Sequence, residues 1–189
     1  MPVVSFKSPR SIYQLKVTLQ GSKPPIWRRL LVPGNFNLYQ LHRVIQEGMG
    51  WYDSHLHQFS IYGEEYGTPD PDDWVEVKDE RRHKLERVAP PGGKFKYVYD
   101  FGDNWDHVVA VEKILPPEPD ESYPLCIKGK RACPPEDVGG LWGYAEFLEA
   151  INNPEHEQHD MFVEWIGEEF DPEAFDLAQV NQVLKSTFG

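Results

Sequence analysis

Two histidines, His55 and His57, stand two positions apart in the segment HLHQF. Alternate residues of a strand lie on one face, so both imidazoles would face the same way and could share a metal ion. Two ligands do not complete a metal site, because a bound metal normally has three or four. The simpler interpretation is that His57 is hydrogen-bonded on a polar strand face and that His55 belongs to a loop.

A second polar group lies in the segment YDFGDNWDH, where Asp103, Trp105, Asp106 and His107 stand at or beside a predicted hairpin turn. Asp and His together can bind a metal or transfer protons, and loops held by a sheet are common places for such groups. Ordinary turn chemistry explains the same residues, because Asp and Asn side chains bond their own backbone in turns. Trp105 would then cover one end of the core.

The most distinctive stretch is CPPEDVGG, from Cys133 to Gly140. Its two prolines stiffen the backbone, and its two glycines permit close approach of a ligand or of another strand. Glu136 and Asp137 could hold a divalent cation, or they could pair with Arg28 and Arg29. We expect the ion pairs, because buried carboxylates generally require a cationic partner.

The elements that must position these groups follow from the hydrophobic pattern. Five segments have the alternation or the short apolar runs of strands, and we predict that they share one sheet: 12–19, 26–32, 56–62, 95–100 and 107–114. A helix is predicted after Asn37, its N-cap, and ends at Gly50. The first two strands should form an antiparallel hairpin.

The last third of the chain is predicted to be helical, over residues 141–152, 156–166 and 172–184, with Asp171 as an N-cap before Pro172. Two long connections, 68–86 and 116–140, are predicted to be loops, the first with a short extended piece at 74–77. Neighbouring elements usually pack together. We therefore predict one α+β domain over residues 1–189, a β-grasp-like mixed sheet with the C-terminal helices packed beside it.

Composition narrows the class of protein. The net charge of −12 argues against nucleic acid as a partner, although seven basic and no acidic residues precede Glu47. No apolar run is long enough for a membrane helix, and two cysteines, Cys126 and Cys133, are too few for a disulfide framework. We expect a cytoplasmic protein. No P-loop, Rossmann glycine pattern, GxSxG elbow or kinase signature is present.

Five separated motifs, taken in order, resemble those of one family. They are PPIWRRLLVP at 24–33, MGW at 49–51 followed by HLHQF at 55–59, YDFGDNWDH at 99–107, CPPEDVGG at 133–140 with Gly143-Tyr144 after it, and FDPEAFD at 170–176. The family is the plasmid open-reading-frame-three-like family, named from a root-inducing plasmid and also labelled TnpR-like insertion-element passenger proteins. The resemblance spans about residues 12–184. It implies an α+β fold and an association of some members with plasmids and mobile elements. It does not imply a particular chemical reaction.

Two hypotheses of function follow. The preferred one is a non-catalytic binding or adaptor domain, without a cofactor, that takes a protein or a small ligand. The alternative is a metal-dependent hydrolase or nuclease-like enzyme using His55, His57, Asp103, His107, Glu136 and Asp137, with a divalent metal on His55, His57, His107 and Asp137. The full set of candidate site residues is Arg28, Arg29, His55, His57, Asp103, Trp105, His107, Glu136, Asp137 and Tyr144.

Overall fold

Alternating apolar residues build the sheet. In the first strand, β1 (Ile12–Leu19), the side chains of Tyr13, Leu15, Val17 and Leu19 are all buried, as their spacing predicts. A computed structural model describes residues 9–72, 74–167 and 169–189 of the chain. The other strands are β2 (Trp27–Pro33), β3 (His57–Ile61), β4 (Glu64–Gly67), β5 (Val77–Asp79), β6 (Lys94–Tyr99), β7 (Trp105–Leu115) and β8 (Leu125–Lys130).

The eight strands of the described residues belong to one sheet, in the order β5-β4-β3-β6-β7-β1-β2-β8. The five predicted strands are therefore confirmed as members of one sheet, and β1 and β2 form the expected antiparallel hairpin. The sheet is mixed, because β4 and β5 are parallel while the other neighbours are antiparallel. Strand β5 and a short helix lie within the predicted loop 68–86, and strand β8 lies within the predicted loop 116–140.

The described part of the chain also contains five α-helices: α1 (Leu38–Met49), α2 (Leu85–Val88), α3 (Gly140–Asn152), α4 (His159–Ile166) and α5 (Leu177–Phe188). Helix α1 begins and ends where predicted. Asn37 and Gln40 form a capping box at its start, and Gly50, with a φ of 101°, ends it in the left-handed conformation. None of the helices in the described ranges is both long and apolar enough to cross a bilayer.

Helix α5 differs from the prediction. It begins at Leu177, because the carboxylate of Asp176, and not that of Asp171, accepts the hydrogen bond from the backbone N–H of Gln179. Asp171 instead closes a local turn with the N–H of Glu173. Helix α4 likewise begins at His159, three residues later than predicted.

Helix α5 packs on β8 at one end of the sheet. The side-chain amide of Asn181 donates to the backbone carbonyl of Cys126 at 2.8 Å and accepts from its N–H at 2.7 Å. The amide thus bonds both backbone groups of a residue in the outermost strand. Cys126 and Cys133 are free cysteines, so no disulfide joins this region.

Candidate metal-binding site

His55 lies in the connection between α1 and β3, and its imidazole faces three carboxylates. Its Nε2 is 3.0 Å from Oδ1 of Asp137, 3.4 Å from Oε2 of Glu136 and 3.7 Å from Oδ2 of Asp100. Ligands bound about 2.1 Å from one ion stand roughly 3.0 to 3.4 Å apart in octahedral or tetrahedral geometry. These separations are close to what a single cation between them requires.

The two aspartates of this group come from tight turns. Asp100 follows β6 with a φ of 58°, and Asp137 has a φ of 57°, so both adopt the left-handed conformation that costs energy in residues other than glycine. Asp100 is held there by its own side chain, whose Oδ1 accepts from the N–H of Gly102 at 2.8 Å. The backbone therefore presents these two carboxylates toward His55 in strained but fixed turns.

Glu136 is positioned by hydrogen bonds from the opposite side. The hydroxyl of Tyr99 lies 3.0 and 3.1 Å from its two carboxylate oxygens, and the N–H of Tyr52 donates to Oε1 at 2.8 Å. The same tyrosine hydroxyl accepts from the N–H of Ser54. Tyr99 thus joins the carboxylate to the segment that carries His55.

The loop from Cys133 to Gly140 is fastened to the hairpin turn between β6 and β7. The N–H of Gly139 donates to Oδ2 of Asp103, and the indole N–H of Trp51 donates to the carbonyl of Pro134. A Cβ on Gly140 would lie 2.6 Å from the backbone oxygen of Asp103, so only glycine permits this contact. The close approach predicted for the glycine pair is made to this turn.

A second histidine cluster lies beside the first. The rings of His42 and His57 stack with centroids 3.3 Å apart and planes within 3°. Nε2 of His42 contacts Asp53 at 2.7 Å, and Nε2 of His57 contacts the fully buried Glu80 at 2.8 Å. The hydroxyl of Tyr97 contacts Nδ1 of His42.

Both clusters have three or more groups that can bind metal, but their geometries differ. Ligand atoms of His42, Asp53 and His57 lie within 4.8 Å of one another, as do those of His55, Asp100 and Asp137. A metal lies near the plane of each imidazole that binds it, and two parallel rings in face contact cannot both meet this condition. The structure therefore favours the His55 group as the metal site.

The protonation state of His42 follows from its burial. Burial lowers the pKa of His42 to about 3, with a further contribution from neighbouring His57, and this outweighs the opposing effect of Asp53. At neutral pH His42 is therefore an uncharged imidazole. The stacked rings avoid the repulsion of two adjacent cations as long as one of them stays neutral.

A cleft of about 360 Å³ opens beside both clusters. Asp53, His55 and His57 contribute to its wall, together with the exposed side chains of Leu56 and Phe101. The polar residues of the two clusters therefore border one solvent-accessible space. A ligand in this cleft would contact His55 and His57 at the same time.

The six residues assigned to the enzyme hypothesis do not form one site. His55, Glu136 and Asp137 converge, Asp103 holds the loop beside them, and His57 belongs to the second cluster. His107 joins neither group: it is fully buried and its ring packs on Trp51 and Tyr97. Burial lowers its pKa to about 4, as expected for a neutral core histidine. A metal on His55, His57, His107 and Asp137 together is thus contradicted by their division among separate groups.

Two aromatic candidates are core residues. Trp105 is buried and packs on Trp51 with ring centroids 6.0 Å apart, as the turn interpretation predicts. Tyr144 is buried on α3 against Phe147 and Phe170, and burial raises its pKa to about 12. Neither side chain contacts His55 through a ring pair or hydrogen bond within the described residues.

The expected ion pairs between Arg28, Arg29 and the carboxylates of the CPPED segment are wrong. Arg29 points to the other face of the sheet and makes two hydrogen bonds with Glu112, at 2.7 and 2.9 Å. Arg28 is buried, as its position among apolar residues predicts, but it donates to backbone carbonyls. Glu136 instead receives its hydrogen bonds from Tyr99 and Tyr52.

Sequence reasoning missed four residues of these clusters: His42, Asp53, Glu80 and Asp100. His42 lies four residues after Leu38, so its position on the buried face of α1 was visible in the helical spacing. Asp53 stands between the selected motifs MGW and HLHQF, and Asp100 lies within the selected motif YDFGDNWDH. Glu80 follows β5, in a stretch whose periodicity carries no signal.

The fold and the site define the class of protein: an α+β protein with a histidine–carboxylate group beside a cleft. The chain belongs to the family described as plasmid pRiA4b ORF-3-like protein, which it matches over residues 11–179. It is 40% identical over 178 residues to the uncharacterized protein y4hQ of Sinorhizobium fredii, covering 92% of this chain and 91% of that protein. It also resembles the crystal structure of a protein of unknown function, MM3350 of Methanosarcina mazei Go1, with a TM-score of 0.83, 40% identity, and coverage of 92% of this chain and 98% of that one.

Proposed function

We propose that this protein is a metal-dependent binding domain that holds one divalent cation on His55, Asp100 and Asp137, with Glu136 beside them. The observation that carries the proposal is the convergence of three carboxylates on one imidazole nitrogen. Like charges this close repel, so the arrangement needs a cation or protons to balance it. Of the two hypotheses drawn from the sequence, this keeps the binding role and adds the metal.

The ligand set indicates which ions fit. One imidazole with carboxylate oxygens suits Mn²⁺, Fe²⁺ or Zn²⁺ better than Mg²⁺ or Ca²⁺, which prefer oxygen alone. Asp100 and Glu136 are nearly buried, whereas the Asp137 side chain is 69% exposed, so the cation would be open to the solvent on one side. An anionic group of a ligand in the adjacent cleft could then complete the coordination.

Removal of one carboxylate tests the metal site. We expect the protein to bind about one Mn²⁺ or Zn²⁺ per chain. Asp100→Asn should lower the metal affinity by roughly tenfold or more, since substitution of a residue that only supports a metal ligand already lowers metal affinity by about 10–100-fold. Isothermal titration calorimetry on the metal-free protein measures both. Asp106→Asn is the matched control, because Asp106 is in the next strand and faces Asn104.

Two results would contradict the metal site. One is the absence of Mn²⁺ and Zn²⁺ binding at millimolar concentration by the folded protein. The other is an equal affinity of Asp100→Asn, Asp106→Asn and the unsubstituted protein, which would place any bound ion elsewhere.

A metal-dependent hydrolase is the second candidate function. The observation that favours it is that His57, paired with buried Glu80, lines the same cleft as His55. A divalent cation held by the His55 group would supply the activation of water for hydrolysis of an ester or phosphodiester, and His57 would act as the general base that takes up the proton of that water. The proton would then pass from His57 to the leaving oxygen.

Turnover of a generic substrate tests this second role. We expect Mn²⁺-dependent hydrolysis of bis(p-nitrophenyl) phosphate, and a loss of about 100-fold or more in His57→Gln, the range of general acid–base catalysis. Metal affinity should stay unchanged in His57→Gln, because His57 is outside the proposed ligand group. Release of nitrophenol at the same rate by both proteins would reject the role of His57, and a protein that binds metal without turnover would leave only the binding function.

We propose that the domain acts as an adaptor for a protein or small-ligand partner in a plasmid or mobile-element context, in the cytoplasm, and that its sheet is a β-grasp variant. The family's name and the acidic charge of −12 support the context and the absence of a nucleic-acid partner.

A further inference from the structure

Arg28 is a buried cation at the wall of a large pocket. Only 2% of its surface is exposed, and it lines a cavity of about 610 Å³ between the end of α1, the start of the CPPED segment and α5. Burying a guanidinium is costly unless its hydrogen bonds are made and its charge is balanced. Its partners therefore decide what the pocket can bind.

Three hydrogen bonds hold the guanidinium in place, and all go to backbone carbonyls. Nε donates to Gly48 at 2.7 Å, and Nη1 donates to Trp27 and Lys130 at 2.9 and 3.0 Å. Phe175 covers one face of the group, with 4.4 Å from Cζ to the ring centroid. These bonds occupy Nε and Nη1, and within the described part of the chain Nη2 has no hydrogen-bond acceptor.

The charge of Arg28 is not matched by a carboxylate. In residues 9–72, 74–167 and 169–189, the ion pairs of the structure do not include Arg28. The groups that act on its charge are the thiols of Cys133 and Cys126, and burial raises the pKa of Cys133, so this thiol is uncharged at neutral pH. The carbonyl bonds explain why the side chain stays in place, but they leave its charge uncompensated.

The rest of the pocket is mostly apolar. Its wall includes Met49, Trp51, Phe175, Val180 and Val183, and its volume falls within the range of about 300–1,000 Å³ that is typical of small-molecule sites. A largely apolar cavity with a guanidinium that forms no ion pair at its wall is suited to a ligand with an anionic head and an apolar body.

We propose that this pocket binds a small organic monocarboxylate, with the carboxylate on Nη2 of Arg28 and the apolar body between Trp51 and the side chains of α5. The site uses none of the proposed metal ligands, although Tyr52, whose N–H donates to Glu136, also lines this pocket. Two carboxylates, those of Glu47 and Asp176, also lie at the pocket wall. They would repel a dianionic phosphate more strongly than a monoanion, which favours the carboxylate as the head group.

Matched probes of equal chain length test the proposal by calorimetry on the full chain. We expect hexanoate to bind, hexan-1-ol to bind about tenfold more weakly or worse because it lacks the charge-assisted bond, and hexylammonium not to bind. Hexyl phosphate should bind more weakly than hexanoate. Arg28→Met should lose the preference for hexanoate over hexan-1-ol, and Arg29→Met, the matched control on the other face of the strand, should keep it.

A second variant covers the case in which Arg28→Met fails to fold. Val183→Phe leaves Arg28 in place and fills the cavity, so it should weaken hexanoate binding while circular dichroism stays native. The proposal is overturned if hexanoate does not bind, if hexan-1-ol binds equally well, or if Val183→Phe binds hexanoate unchanged. Tighter binding of hexyl phosphate would show that the head group is a phosphate, and the carboxylate assignment would be wrong.

Discussion

Acidification from pH 7 to pH 4 should unfold the protein. His42 and His107 are fully buried, and burial lowers their pKa values from 6.5 to about 3 and about 4. In the unfolded chain these histidines become protonated near pH 6.5, whereas in the folded chain they become protonated only near their lowered pKa values. The unfolded state is therefore stabilised relative to the folded state as the pH falls. Stability is present above pH 6.5 and is lost as the pH falls toward 4 and then 3.

The size of this effect is comparable to the stability of a whole domain. A shift of one pKa unit corresponds to about 1.4 kcal/mol, so each histidine contributes on the order of 3 to 5 kcal/mol when its shift is fully expressed. Globular domains are stable by about 5–15 kcal/mol. Urea unfolding curves recorded at several pH values, followed by circular dichroism, measure the change directly.

One substitution isolates the contribution of His107. His107→Phe keeps an aromatic ring between Trp51 and Tyr97 but removes the titrating group, so the loss of stability between pH 6.5 and 4 should become smaller. His156→Gln, a change in a turn outside the sheet, should leave the pH profile as it is. An unchanged profile in His107→Phe would show that this histidine is already protonated in the folded protein or is accessible to water.

Phe147→Ala should lower the free energy of unfolding by about 3–5 kcal/mol, the cost of a large cavity in a well-packed core. Phe147 is fully buried on α3, and its ring centroid lies within 5.9 Å of those of Phe162, Trp165 and Phe170. It therefore joins three segments of the C-terminal part in one cluster. Chemical denaturation at pH 7 gives the value.

The same helix supplies the matched control. Trp142 is 91% exposed, and Trp142→Ala should change stability by less than about 0.5 kcal/mol. This comparison also tests the prediction of a single domain. If Phe147→Ala melted the C-terminal helices in a separate early transition while the sheet stayed folded, the chain would consist of two cooperative units.

Local signals account for the elements that the sequence predicted well. Helix α1 has a capping box at Asn37 and a glycine at its end, and β1 has a strict alternation of buried residues, so neither depends on distant contacts. The start of α5 was predicted wrongly at Asp171, although Asp176, five residues later, is the same residue type and is the N-cap in the structure. Distant contacts decide between them: Pro172 accepts a hydrogen bond from Ala132, and Phe175 lies on Arg28.

The candidate site was predictable in part. The sequence placed His55, Glu136 and Asp137 among the candidates because of their residue types, and these three do converge. Their partner Asp100 was not selected, since only the closing of the turn after β6 directs its carboxylate toward His55. The partners predicted for Arg28 and Arg29 were wrong for a similar reason. The carbonyl acceptors of Arg28 belong to the backbone, and the register between β1 and β7 that places Glu112 near Arg29 cannot be deduced from the positions of charged residues in the sequence.

The amide of Asn181 has a consequence for how this protein meets other chains. The outer strand of a sheet is a template on which a foreign strand can add, and such addition leads to fibres or to strand exchange. Asn181 already bonds the N–H and the carbonyl of Cys126, with α5 packed over β8, so an incoming strand would first have to displace a helix. At the opposite end β5 offers three residues, too short a template for stable pairing. The sheet is thereby protected at both ends from uncontrolled polymerisation.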